Sequence, residues 1–158
     1  MNMSATSILS PELLRSYEET QYCVNAATPD QAEFVLRVGE ISKPLAAVHK
    51  KSGVDCSAFV TACNPWSESL PDSANAMRQA SLLQALRVRS LRWLDGVGQH
   101  PSNRWPGEPS LLILGLSLAA AKVLAQDFEQ NAFVWSGADA KPQLVVLTCP
   151  WNFEPIEA

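Results

Sequence analysis

Charge is scarce in this chain, and so are histidine and paired cysteine. Asp, Glu, Lys and Arg make up 18% of its 158 residues and apolar types 47%, a balance that excludes a disordered or coiled-coil protein. With 12 basic against 16 acidic residues the net charge is −4. No basic surplus draws the chain towards nucleic acid or anionic lipid, so nucleic acid is set aside as a partner. The two histidines, His49 and His100, lie far apart, and none of the four cysteines (Cys23, Cys56, Cys63, Cys149) stands in a C-x-x-C pair. Zinc therefore has no recognisable ligand spacing, and no metal is expected. The sequence G-x-S-x-G is missing, and with it a serine nucleophile elbow. "GVGQHP" has Gly-x-Gly but lacks the third glycine and the following helix of a dinucleotide loop, so no cofactor is expected. The longest apolar region, "LLILGLSLAAAKVLA", is broken by Ser117 and Lys122. It falls short of the roughly 20 residues of a membrane span, so no membrane partner is expected. The start, "MNMSATSILSPELL", has neither the basic residues nor the apolar core of a signal peptide. These absences point to the cytoplasm, with reduced thiols.

What is present reads as one domain over residues 1–158 with an irregular tail from about 150. Ser10-Pro11-Glu12 opens a helix that ends near Thr20. "YCVNAA" and "AEFVLRVG" read as an antiparallel hairpin turning at Thr28-Pro29-Asp30. Ser42 caps a short helix with Ile41, Leu45 and Val48 on its apolar side, closed by Lys50, Lys51 and Gly53; His49 is read as a solvated surface residue. "DCSAFVTAC" is nearly continuous in apolar or small residues, as a central strand is. The longest helix follows from about Ser73 to Arg89, with Met77, Ala80, Leu83 and Leu86 as its apolar face. "LRWLDGVG" and "SLLILGL" are strands around a Gly/Pro-rich loop. Ser117 caps a helix running to about Gln130, with Leu118, Ala121, Leu124, Ala125 and Phe128 inward. "AFVWSG" and "QLVVLTC" make a last strand pair. Hairpins at both ends predict an α+β fold: a mixed or antiparallel sheet of about seven strands with helices packed against it, α/β being the alternative.

Several segments occur together as in a known family: "YEETQYCV", "FVTACNPWS", "NAMR", "EPSLLILGLS" and "FEQNAFVW". The arrangement resembles a small bacterial family catalogued as domain of unknown function 3293, over about Tyr17 to Val146. Thr61, Ala62, Asn64 and Pro65 match its Thr-Ala-x-Asn-Pro. Asn75 and Arg78 match its helical pair, Glu108 and Ser110 its strand entry, and Gln130 its glutamine before the next strand. Glu129 departs from the glycine more usual there, which puts the local turn in question. The resemblance implies no activity.

The bend between Phe59 and Arg78 is where a site is expected, at the carboxyl end of a central strand. Thr61, Asn64, Asn75, Arg78 and Gln130 are candidate ligand-binding residues, with Arg78 offering a planar fork to a carboxylate or phosphate. Glu108 is the candidate catalytic acid or base and the expected ion-pair partner of Arg78. The alternative is that Asn64 and Ser67 make side-chain turns, Pro65 fixes the bend and Asp72 or Ser73 caps the helix. Cys63 beside His100 lacks the surroundings of a cysteine nucleophile. Trp66 and Trp105 fall in loops, where they either anchor the loop or face a pocket. Cys23, Cys56 and Cys149 are expected to be buried and Cys63 the more accessible. Two functions fit: a pocket for a small polar or anionic ligand, binding or weakly enzymatic, or an interaction module with a protein partner or in a homodimer.

Overall fold

The structure, a computed structural model, describes residues 10–26, 32–102 and 107–147. The turn expected at Thr28-Pro29-Asp30, Trp105, Cys149 and the tail from about 150 lie outside the described residues.

Each helix starts where a capping residue meets the periodic pattern. Helix α1 (Pro11–Glu19) begins at Ser10, whose side chain accepts from Leu13 N. Strands β1 (Gln21–Val24) and β2 (Phe34–Leu36) pair antiparallel, as the hairpin reading requires. Helix α2 (Lys43–Ser52) is capped by Ser42 accepting from Leu45 N and closes at Gly53, whose φ of 70° is the left-handed end glycine tolerates best. Its inward residues are Leu45 and His49, four apart. Two expectations fail here. Ile41 precedes the helix and is exposed, and His49 is buried, its Nε2 2.8 Å from the Ser57 hydroxyl. Histidine four residues after Leu45 shares its face, so the leucine carries it inward.

Strand β3 (Ser57–Val60) is buried at all four positions. A 3₁₀ turn (Pro65–Ser67) follows, then helix α3 (Asp72–Val88), strands β4 (Arg92–Gln99) and β5 (Glu108–Leu114), helix α4 (Leu118–Asp127), and strands β6 (Ala132–Ser136) and β7 (Gln143–Val146). The seven strands form one sheet in the order β2-β1-β4-β5-β3-β6-β7, every neighbouring pair antiparallel. That resolves the α+β reading in favour of an antiparallel sheet. The sheet curls into a half-barrel.

Helices cover both faces. On one, Leu82 and Leu86 of α3 and Ala121 and Leu124 of α4 pack on Ala58, Val60, Leu111 and Ile113. On the other, Leu45 of α2 packs with Tyr22, Val24, Phe59 and Leu112. Truncating a leucine such as Leu82 to alanine typically costs 2–5 kcal/mol. The inward face of α3 differs from the one its apolar residues imply. Met77 is 74% exposed and Ala80 is also exposed. The inner line runs Asn75, Arg78, Gln79, Leu82, Leu86, polar near the bend and apolar where the helix reaches the core. Neither Asp72 nor Ser73 caps it; Pro71 holds that position without a side-chain acceptor. Helix α4 stops at Asp127, short of Gln130.

Candidate functional site

Past Val60 the chain leaves the sheet, and its backbone groups lose their ladder partners. Side chains replace them. Thr61 Oγ1 donates to Pro109 O (2.7 Å) and accepts from Cys63 N (3.0 Å). Ala62 N donates to Gln79 Oε1, and Ala62 O accepts from Arg78 Nε (2.7 Å). Asn64 and Asn75 lock together: Asn64 N donates to Asn75 Oδ1, and Asn75 Nδ2 to Asn64 Oδ1, both at 2.8 Å. Asn64 Oδ1 also accepts from Leu70 N. Gln130 Nε2 donates to the carbonyls of Cys63 and Phe128. Arg78 completes the set through Phe128 O (2.6 Å) and the Glu129 carboxylate (3.3 Å).

This clamp holds unusual backbone. Asn64, Trp66 and Ser67 have φ of 49°, 53° and 63°. Left-handed geometry costs an L-residue roughly 1–2 kcal/mol, less for asparagine. It persists only where the surroundings over-determine it. Glu129, where the resemblance led to the expectation of glycine, is also left-handed at φ 58°, so the turn forms without the glycine. Its carbonyl accepts from Trp66 N (2.6 Å), tying the two strained turns together.

Arg78 and Glu108 do not pair. Strand alternation sets Glu108 with Ser110 and Leu112, on the face of Tyr22 and Phe59, whereas Arg78 rises from α3 on the opposite face. Among the described residues, the half-buried Glu108 carboxylate accepts one bond, from Asn64 Nδ2 at 2.9 Å. Burial pushes its pKa up, and the Asn64 bond only partly offsets this. Register explains its neighbours. Tyr22 lies opposite Gly98, and Gly98 opposite Glu108, so the three form one row across β1, β4 and β5. Glycine in the middle leaves the row open: a Cβ on Gly98 would meet only Thr20 Cγ2, at 3.8 Å. Gly96, one row along, has no such opening, because the Phe59 ring fills it.

Tyr17 stands over the same place from α1. Its hydroxyl lies 2.8 Å from Ser67 Oγ, which also accepts from Asn131 Nδ2 (2.9 Å). Tyr22 OH donates to Tyr17 O. Burial raises the pKa of both phenols; Glu108's negative charge adds to the rise in each, and in Tyr22 the neighbouring Tyr17 adds more. Tyr17, Tyr22, Gly98 and Asn131 were not among the residues singled out from the sequence for a site. The signal was there in part: glycines two apart in a strand share a face and mark a close approach or an opening.

The thiols reverse expectation. Cys63 is buried, its pKa raised chiefly by burial, while Cys23 and Cys56 are partly exposed. A protonated, buried thiol is a poor nucleophile. His100 instead bonds Ser102 and Glu19. Depth and chemistry part company elsewhere too. A surface hollow of about 570 Å³, lined by residues including Leu13, Ser16, Glu19 and His100, lies along α1. The withdrawn carboxylate of Glu108 is not in its wall, so the site is placed by chemistry rather than by depth. Among the described residues no group of three His, Cys, Asp or Glu side chains gathers to hold a metal, and no helix is long and apolar enough to cross a membrane.

Residues 60–133 match the family described as Protein of unknown function (DUF3293). This stretch is a little under half of the chain. It contains the bend, α3, Gly98, Glu108 and Gln130, while Tyr17 and Tyr22 lie before it. No curated protein and no solved structure matches the chain.

Proposed function

We propose that the domain binds a small polar ligand on the Glu108 side of the bend, with Glu108 as its charged acceptor. Where the bound group gives up a proton, Glu108 is the base that takes it. The observation that carries this reading is the single hydrogen bond to a half-buried carboxylate facing the opening at Gly98. Elsewhere such a group costs stability, and withdrawn carboxylates gather where they act on something. Of the residues first marked for ligand contact, Asn64 reaches the site, where it holds the Glu108 carboxylate. Thr61, Asn75, Arg78 and Gln130 position the backbone that presents Asn64. We place the domain in the cytoplasm, in keeping with free Cys23, Cys56 and Cys63.

A thermal-shift screen of small polar compounds against the parent and Glu108→Gln tests the reading. A ligand at 100 times its dissociation constant adds about 2.7 kcal/mol of stability. The proposal expects compounds that stabilise the parent and lose their effect on Glu108→Gln. Hits indifferent to that change would overturn it.

A second reading, association through α3, draws on Met77 and Val88, which are 74% and 73% exposed on one side of the helix. Sedimentation of the parent and Met77→Lys over a range of concentrations tests it; a parent that stays monomeric throughout removes it.

A further inference from the structure

The donors and acceptors around Gly98 are unequal in number and sign. Asn64 Nδ2 is spent on Glu108, and Asn64 Oδ1 on Asn75 and Leu70. Asn131 Nδ2 is spent on Ser67, and Tyr22 OH on Tyr17 O. The Arg78 guanidinium is spent too, on three bonds on the opposite face of the sheet. What remains on offer is the second oxygen of the Glu108 carboxylate, beside two phenol rings. Among the described residues, an arriving anion would meet a like charge and no spare cation. A cation would meet a carboxylate for a charge-assisted bond, with the Tyr17 and Tyr22 phenols close by.

We propose that the ligand is a small organic cation, a primary ammonium or a guanidinium, seated over Gly98 between Glu108 and the rings of Tyr17 and Tyr22; this rests on the reading that the Glu108 side binds a ligand. Among the described residues, a Cβ at Gly98 would touch only Thr20, at 3.8 Å, which leaves the row beside the carboxylate unfilled. The raised Glu108 pKa, caused by burial, agrees: a bound cation restores the ionised form.

Amide NMR on the full chain tests this with ethylammonium, methylguanidinium, acetate, inorganic phosphate and ethylene glycol at matched ionic strength. The variants are Glu108→Gln, which keeps the shape and removes the charge, and Gly98→Val, which fills the opening from a strand position. The remaining amides of each variant report that it is folded. The expected result is saturable shifts of the Asn64, Ser67 and Gly98 amides with the two cations alone. Their affinity falls about tenfold or more in Glu108→Gln, as loss of a charged hydrogen bond implies. The Glu108 carboxyl also titrates lower when a cation is bound. Saturable shifts with acetate, phosphate or ethylene glycol but not the cations would overturn the cation and leave the site standing. No saturable shift with any of the five would overturn both.

Discussion

The two sides of the bend spend their polar groups differently. On the α3 side, Arg78, Gln79, Asn75 and Gln130 aim their side chains at backbone carbonyls and amides of residues 62–64 and 128. On the far side, Glu108 takes one bond and looks across Gly98 to Tyr22. The first side is a buckle: remove a piece and buried backbone groups lose partners. The second is a group held out of water at a cost, with little holding it there. The lesson is that an arginine near a glutamate in a bend is not thereby its partner. Arg78 answers carbonyls, which need donors as much as a carboxylate does.

Breaking the buckle gives the largest effect. Arg78→Ala takes the Arg78 donor from Ala62 O and leaves Phe128 O with Gln130 alone; an unsatisfied buried group costs about 1–3 kcal/mol, so a loss of about 2 kcal/mol is expected in urea unfolding. A loss under about 1 kcal/mol would make Arg78 ornamental and collapse the contrast. Tyr17→Phe comes next. Helix α1 buries none of its residues, and Tyr17 ties it to the bend through Ser67. Losing that hydrogen bond costs about 1 kcal/mol, read as faster amide exchange along α1. Exchange unchanged in α1 would show that the helix is held by something else. Glu129→Gly is the smallest. Relief of left-handed strain, roughly 1 kcal/mol, offsets the loss of a half-exposed ion pair worth at most about 1 kcal/mol. Stability should stay within about 0.5 kcal/mol of the parent; a large loss would place the Arg78–Glu129 pair at the centre of the buckle.

Sequence patterns told the strands well and the insides of helices less well. Runs such as "SLLILGL" and "DCSAFVTAC" announce buried strands through composition alone, and Ser10, Ser42 and Ser117 announce helix starts. The face of α3 was hidden because its first turns bury Asn75, Arg78 and Gln79 to serve the bend's backbone. An apolar-periodicity reading had to choose Met77 and Ala80 instead. His49 was hidden because lysines beside it mark the solvent side of a helix while it points the other way. The candidate site was half legible. Glu108 and Asn64 stood out by type and place. Tyr22 and Gly98 join them only through the β1–β4 and β4–β5 registers, long-range pairings that no local window contains.

Stability against pH bears on the central claim most directly. Two groups pull in opposite directions. His49 has its pKa lowered, chiefly by burial, so the folded state resists its protonation. Its contribution is present above the ordinary histidine value and is lost as pH falls through the depressed one. Glu108 has its pKa raised, so the folded state favours the protonated acid. Its contribution is full below the ordinary glutamate value of about 4.3 and is lost as pH rises through the raised one. The decisive measurement is the difference in unfolding free energy between Glu108→Gln and the parent, taken by urea denaturation from acid to neutral pH. His49 cancels in that difference. The account predicts no gap in slope at the acid end and a variant that gains on the parent as pH rises, ending the more stable of the two at neutral pH. A variant less stable than the parent at neutral pH, losing ground as pH rises, would make Glu108 a structural carboxylate and contradict the account.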